Sequence, residues 1–138
     1  MSFGVSLRGR PIWLSRRDTG VILPPYLNSK RIMKEQSMLS HSVYFTLKNS
    51  SDAACDAMIA DCQKYLKDHK GVVFFGVGRL ASEYNRPVNV RDYDIALNIV
   101  FDGRESHDTY QVHEQHLEFI AKNKEGWEQV RVFDADVA

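Results

Sequence analysis

A chain of 138 residues, 43% apolar and 26% charged, can build one ordinary globular core and is too short for several. It holds no apolar run approaching the roughly 18 residues of a membrane-spanning helix, and no early apolar stretch long enough for a secretory signal. The net charge is zero but unevenly placed: residues 1–37 hold seven Lys/Arg against two Asp/Glu, whereas residues 38–138 hold eleven against sixteen and so lack the clustered cations that nucleic-acid phosphates require.

The first 37 residues carry Arg8, Arg10, Arg16, Arg17, Lys30, Arg31 and Lys34 among the turn-formers Gly9, Pro11, Gly20, Pro24 and Pro25. No period of 2 or 3.6 is sustained, so they read as a basic extension. Three roles are open: an organellar targeting segment, an arm lying on an acidic surface, or a stretch upstream of a true start at Met38. Residues 38–138 then form one domain.

Within that domain Leu39, His41, Val43, Phe45 and Leu47 share one face of an alternating strand, and Ser42, Tyr44 and Thr46 share the other. His41 is the single polar residue on the side to be buried. Asn49 to Asp52 supply an N-cap for a helix to about Asp68, whose apolar stripe is Cys55, Met58, Ile59, Cys62, Tyr65 and Leu66. His69 and Lys70 suit a helix C-terminus, and Gly71 suits a left-handed cap. Val72 to Val77 form a second strand, β-branched and aromatic. After a polar loop, Tyr93, Ile95, Leu97, Ile99 and Phe101 alternate with Asp94, Ala96, Asn98 and Val100 as a third. Ser106 or Asp108 can cap a second helix running to about Lys122, with Tyr110, His113, Leu117 and Ile120 as its stripe and His116 on one flank. Trp127 to Phe133 make the last strand.

The order β-α-β-β-α-β predicts an α+β, ferredoxin-like fold with a four-stranded antiparallel sheet. Two helices cover only one face of such a sheet, yet Val72 to Phe75 is apolar throughout, and Tyr44 and Val100 lie opposite the main apolar faces. The missing cover is most simply a second copy, so the expected partner is the chain itself, as a homodimer through the sheet face. Cys55 and Cys62 are seven residues apart on one helix, hence separated by roughly 10 Å and too far for a disulfide. They read as buried thiols in a reducing, cytoplasmic compartment.

Several motifs fail on context. Gly76-Val77-Gly78-Arg79-Leu80-Ala81 matches a dinucleotide fingerprint, but the segment before Pro87 is too short for the crossover helix such a site needs. His41, His113 and His116 can ligate a metal, but no Asp, Glu or Cys completes the set on their face, so no metal is expected. Neither a Ser/His/Asp set nor a nucleophile elbow stands out. No cofactor, nucleic acid or membrane is implied.

Taken together, the start from Leu39 to Lys48 with its early histidine, Gly76-Val77-Gly78, Tyr93-Asp94-Ile95-Ala96-Leu97, Tyr110-Gln111-Val112-His113-Glu114-Gln115-His116 and the closing Val132-Phe133-Asp134 resemble the stress-responsive A/B barrel (Dabb) family. The resemblance implies a pair of ferredoxin-like halves forming a dimeric α/β barrel. It also implies an interior pocket for a small, largely apolar ligand, with a stress-related role. Two alternatives stay open: a polyketide-cyclase-like or cofactor-free monooxygenase-like enzyme, and a structural dimer with no ligand. In the enzymatic relatives a tyrosine and a histidine at the positions of Tyr110 and His116 are catalytic. His41, Tyr93, Ile95 and His113 complete the expected pocket. Ile95 falls where a cyclase-type relative has a further histidine, which makes this pocket more apolar.

Overall fold

A computed structural model describes residues 37–138; the basic extension, apart from Ser37, lies outside the described residues. In chain order the elements are β1 (Met38–Leu47), α1 (Asp52–Leu66), β2 (Val72–Arg79), β3 (Ile95–Phe101), α2 (Arg104–Val112), α3 (Glu114–Asn123) and β4 (Trp127–Val137). The strands form one antiparallel sheet in the order β2-β3-β1-β4. This is the expected ferredoxin-like arrangement.

Period-2 alternation builds the core. Leu39, His41, Val43, Phe45 and Leu47 of β1 are buried, as are Ile95, Leu97, Ile99 and Phe101 of β3. The register sets Val43 opposite Leu97 and His41 opposite Ile99, so one continuous apolar face spans the two central strands. Cys55, Met58, Cys62 and Leu66 of α1 pack on it with Tyr110 and Phe119. Each fully buried side chain of this size contributes about 1.5–3 kcal/mol. Burial raises the Cys62 thiol to about 12, so it stays a protonated core group at neutral pH.

Local signals start and stop α1. The Ser51 hydroxyl accepts from the Ala54 amide at 3.2 Å, and Asp52 places negative charge in the first turn. Gly71, at φ +87°, turns the chain into β2 in a conformation that L side chains rarely adopt, and a Cβ there would strike the Ser106 side chain. Asp61 accepts from Lys122 Nζ at 2.9 Å and Asn123 Nδ2 at 3.2 Å, tying α1 to α3. Gly76 and Gly78 lie inside β2, and the next regular element is β3. The dinucleotide fingerprint has no helix to serve.

Three expectations need correction. The third strand starts at Ile95 rather than Tyr93, because the Asp94 carboxylate turns to accept from the Leu47 amide at 2.8 Å. The last strand runs past Phe133 to Val137, pairing with β1 as far as Met38. The second helix is not continuous. His113 is extended (φ −68°, ψ 142°) and caps α3, its Nδ1 accepting from the Gln115 amide at 3.1 Å. The break re-aims α3. His116 and Phe119 turn inward, while Leu117, expected in the apolar stripe, is 52% exposed.

The opposite face of the sheet carries no helix among the described residues, and the loop before β3 lies over only part of it, at Ser42, Tyr44 and Phe133. Phe74 of β2 and Phe133 of β4 are 56% and 57% exposed there, and Tyr44 stacks edge-on against Tyr93 and Phe133 at 4.9 and 5.7 Å.

Candidate functional site

A cavity of about 310 Å³ opens between β1, β4 and the broken second helix. The break at His113 shapes it by swinging His116 back over Tyr110, so that their ring centroids lie 4.5 Å apart. Tyr110 is buried against Phe101 at 5.1 Å, and His41 meets its edge at 5.9 Å. Val43, Phe45, Leu97 and Phe119 supply apolar walls, and Val130 and Val132 line the side along β4. Trp127 also lines the cavity, and its buried indole N–H finds no acceptor among the described residues.

Hydrogen bonds fix the tautomers of two imidazoles. His116 Nδ1 lies 3.0 Å from the Gln111 carbonyl oxygen, which can only accept, so Nδ1 carries the proton and Nε2 the lone pair. His41 Nδ1 lies 2.6 Å from Asp134 Oδ1, with the same consequence when the ring is neutral. Burial lowers the affinity of both rings for a second proton. It outweighs the opposing pull of the Gln111 carbonyl at His116 and of Asp134 at His41, so both fall below their ordinary 6.5. Burial, and then the neighbouring Cys62, pushes the Tyr110 phenol above its ordinary 10.0. At neutral pH the site therefore holds uncharged bases beside an uncharged phenol, an arrangement that can accept a proton at one end of a ligand and donate a hydrogen bond at the other.

Of the residues singled out in the sequence, Tyr110, His116 and His41 come together here. Tyr93 lies on the opposite face of the sheet, where it lines a separate depression with Ser42, Tyr44 and Phe133. Ile95 is fully buried in the core. His113, an exposed cap, turns its ring toward His69 at 4.8 Å instead of toward the cavity. None of these three lines the Tyr110 cavity.

Three neighbours were not expected. His107 stacks on His41 at 4.9 Å, His69 meets Tyr110 at 4.9 Å, and Asp134 anchors His41. All five histidines of the chain thus join one network of ring contacts around Tyr110. A signal for His107 existed in its place one helical turn before Tyr110. The signal for Asp134 was the period-2 series that runs on from Val130 and Val132.

An antiparallel ferredoxin-like sheet, helices on one face and a histidine-rich cavity beneath them define a small α+β pocket domain. The chain belongs to the Dabb family, the stress responsive A/B barrel domain, whose profile matches residues 39–137. A Dabb family protein with a ferredoxin-like fold from Mesorhizobium loti is 25% identical, with a TM-score of 0.60 over 72% of this chain and 96% of its own. A dimeric ferredoxin-like protein of unknown function from Thermobifida fusca, 14% identical, gives a TM-score of 0.61 over 75% of this chain and 93% of its own. The hydroxynitrile lyase of Passiflora edulis, 17% identical, gives 0.61 over 75% and 95%. No curated protein matches significantly. No helix among the described residues is long and apolar enough to cross a membrane.

Proposed function

We propose that residues 38–138 form a homodimeric pocket domain that binds a small, largely apolar ligand bearing a carbonyl or phenolic oxygen in the Tyr110 cavity. The observation that carries this reading is the contact of the Tyr110 and His116 rings, 4.5 Å between centroids, in an apolar cavity of about 310 Å³, with the His116 lone pair left on Nε2. That volume lies at the lower end of ligand sites and suits a molecule of about one ring.

The partner we propose is a second copy against the open face of the sheet. Exposed Phe74 and Phe133, one on each edge strand of that face, support it. The dimeric Thermobifida fusca neighbour supports it by likeness of fold. The two buried free thiols suit a reducing compartment, and we place the protein in the cytoplasm.

A second reading, that the domain is an enzyme, rests on the tautomer of His116. With Nδ1 held by Gln111, Nε2 is a general base beside a phenol able to hold a developing oxyanion. Proton abstraction next to a ligand carbonyl is the chemistry this pair can perform. It is compatible with a cyclase-like reaction, and the Passiflora edulis neighbour is a lyase on the same fold.

A thermal-shift screen of phenolic, polyketide-like and lipid-like compounds against the wild type and His116→Ala tests both readings. A ligand at a hundred times its dissociation constant adds about 2.7 kcal/mol, on the order of 10 °C for a domain of this size. The proposal expects a shift that His116→Ala weakens; turnover lost in that variant while binding persists would favour the enzyme. No shift with any compound would leave a filled structural dimer as the better account.

A further inference from the structure

We infer that His41, His107 and Asp134 form a binding site for a divalent transition-metal ion of the zinc class, set in the wall of the Tyr110 cavity. The three residues come from β1, α2 and β4, and one donor atom from each lies within 4.8 Å of the others. Asp134 Oδ1 is the hub, 2.6 Å from His41 Nδ1 and 4.0 Å from His107 Nε2. Tetrahedral zinc, with bonds of about 2.0–2.1 Å, sets its donors about 3.3 Å apart. The first contact must therefore open and the second close, each by about 0.7 Å, and the His41 and His107 donors, up to 4.8 Å apart, must close by about 1.5 Å. His41 gives up its Nδ1 proton on binding, the ring taking the tautomer protonated at Nε2. Two imidazoles and one carboxylate are the donor set of three-ligand sites that keep a further position open.

The surroundings fit a built site. His41 and His107 are held ring against ring, inclined at 53°, by packing against Phe101 at 6.5 and 5.5 Å between ring centroids, so little order has to be created on binding. His107 Nε2 lies 3.0 Å from the Gln111 side-chain amide, which an ion would displace, and Asp108 Oδ1, 3.5 Å from His107 Nδ1, is placed to hold the N–H of that nitrogen while Nε2 ligates. Arg104, the nearby cation, is engaged by Asp136 through hydrogen bonds of 2.9 and 2.5 Å. An ion would have an approach from outside. His107 and Asp134 also line a surface depression with Asp108, Asp136 and Arg104; Arg104 is paired with Asp136, which leaves the Asp108 carboxylate to attract a cation. The inner side of the cluster faces the cavity of Tyr110 and His116, so an open coordination position would be presented to a bound ligand's oxygen. This differs from the His41, His113 and His116 grouping read from the sequence: His113 has left that face, and Asp134 supplies the carboxylate that was missing.

Cobalt(II) is the direct probe, because its visible absorption reports coordination by protein nitrogen and oxygen independently of any activity. Titration of the full chain, freed of metal by chelation, should give a visible band that saturates at one ion per protomer and is displaced by Zn²⁺. His107→Ala should weaken binding by about 100-fold or more, and so should Asp134→Asn, which keeps a polar partner for His41 and preserves the strand pairing. His113→Ala, which removes an exposed histidine outside the cluster, should bind as the wild type does. Absence of a saturable band in the folded wild type would overturn the site. So would unchanged binding in folded His107→Ala, or loss of binding in His113→Ala.

Discussion

His41 and Asp134 face each other across the β1–β4 ladder, and His41 Nδ1 donates to Asp134 Oδ1 over 2.6 Å. This cross-strand pair places a polar ring on the inner face of the sheet, where its neighbours in the strand are Leu39 and Val43. The carboxylate satisfies the buried donor, fixes which nitrogen carries the proton, and holds the ring against Tyr110.

Removing that acceptor should be felt as stability. Asp134→Ala leaves a buried N–H without its partner, which costs about 1–3 kcal/mol. Each kcal/mol lowers Tm by about 4–8 °C in a domain of this size. Thermal melting in the presence of a chelator, which removes any contribution from bound metal, measures the loss. Asp134→Asn should recover most of it, and equal melting of the wild type and Asp134→Ala would show that the pair contributes nothing.

The His116 ring gives the fold a definite pH dependence. Burial holds its pKa below the ordinary 6.5, so between 6.5 and the lower native value the unfolded chain binds more protons than the native one. Its contribution to stability is complete above pH 6.5 and is lost as the pH falls through the native value. For one proton the slope is at most about 1.4 kcal/mol per pH unit. Urea midpoints taken at about pH 7.5 and about 5.5 should fall more in the wild type than in His116→Gln. Equal falls would remove His116 as the source.

His113 should behave as a helix cap and not as a pocket residue. His113→Ala deprives the Gln115 amide of its acceptor and should cost about 0.5–2 kcal/mol in urea denaturation. Affinity for any ligand that depends on His116 should stay within about twofold, and a tenfold loss would place His113 at the site after all.

Much of the fold was legible because its signals are local. Alternation marked both central strands, the Ser51 cap and Gly71 bounded α1, and the stripe holding Cys55 and Cys62 identified its buried face. The break at His113 was not legible. Helical spacing carries straight through Tyr110, His113 and Leu117, and a single ψ of 142° decides otherwise. That angle turns His116 inward, so the same break that displaced His113 from the expected site created the Tyr110–His116 contact. Tyr93 and Ile95 stay out of the cavity for different reasons: Tyr93 precedes β3, so alternation does not carry it to the inner face, whereas Ile95 is on that face but packed in the core away from the cavity. His107 and Asp134 carried local signals for their facing, but their meeting with His41 depends on contacts between distant segments, which no local pattern reports.

The open sheet face should govern association. Phe133→Glu sets a charge on an exposed apolar surface, so the folded monomer should tolerate it while a sheet-to-sheet dimer should not. Sedimentation should find the wild type at the mass of a dimer and the variant at the mass of a monomer, with circular dichroism unchanged. A dimer that survives Phe133→Glu and Phe74→Glu together would place the interface elsewhere.

Ligand binding in the Tyr110 cavity is tested most directly by NMR of protein labelled with ¹⁵N-histidine, titrated with 2,4-dihydroxyacetophenone as a one-ring phenolic ketone. The predicted result is a saturable shift of the His116 Nε2 resonance, larger than that of exposed His113 and absent in Tyr110→Ala. A spectrum in which no histidine responds, or in which His113 responds and His116 does not, would contradict the account.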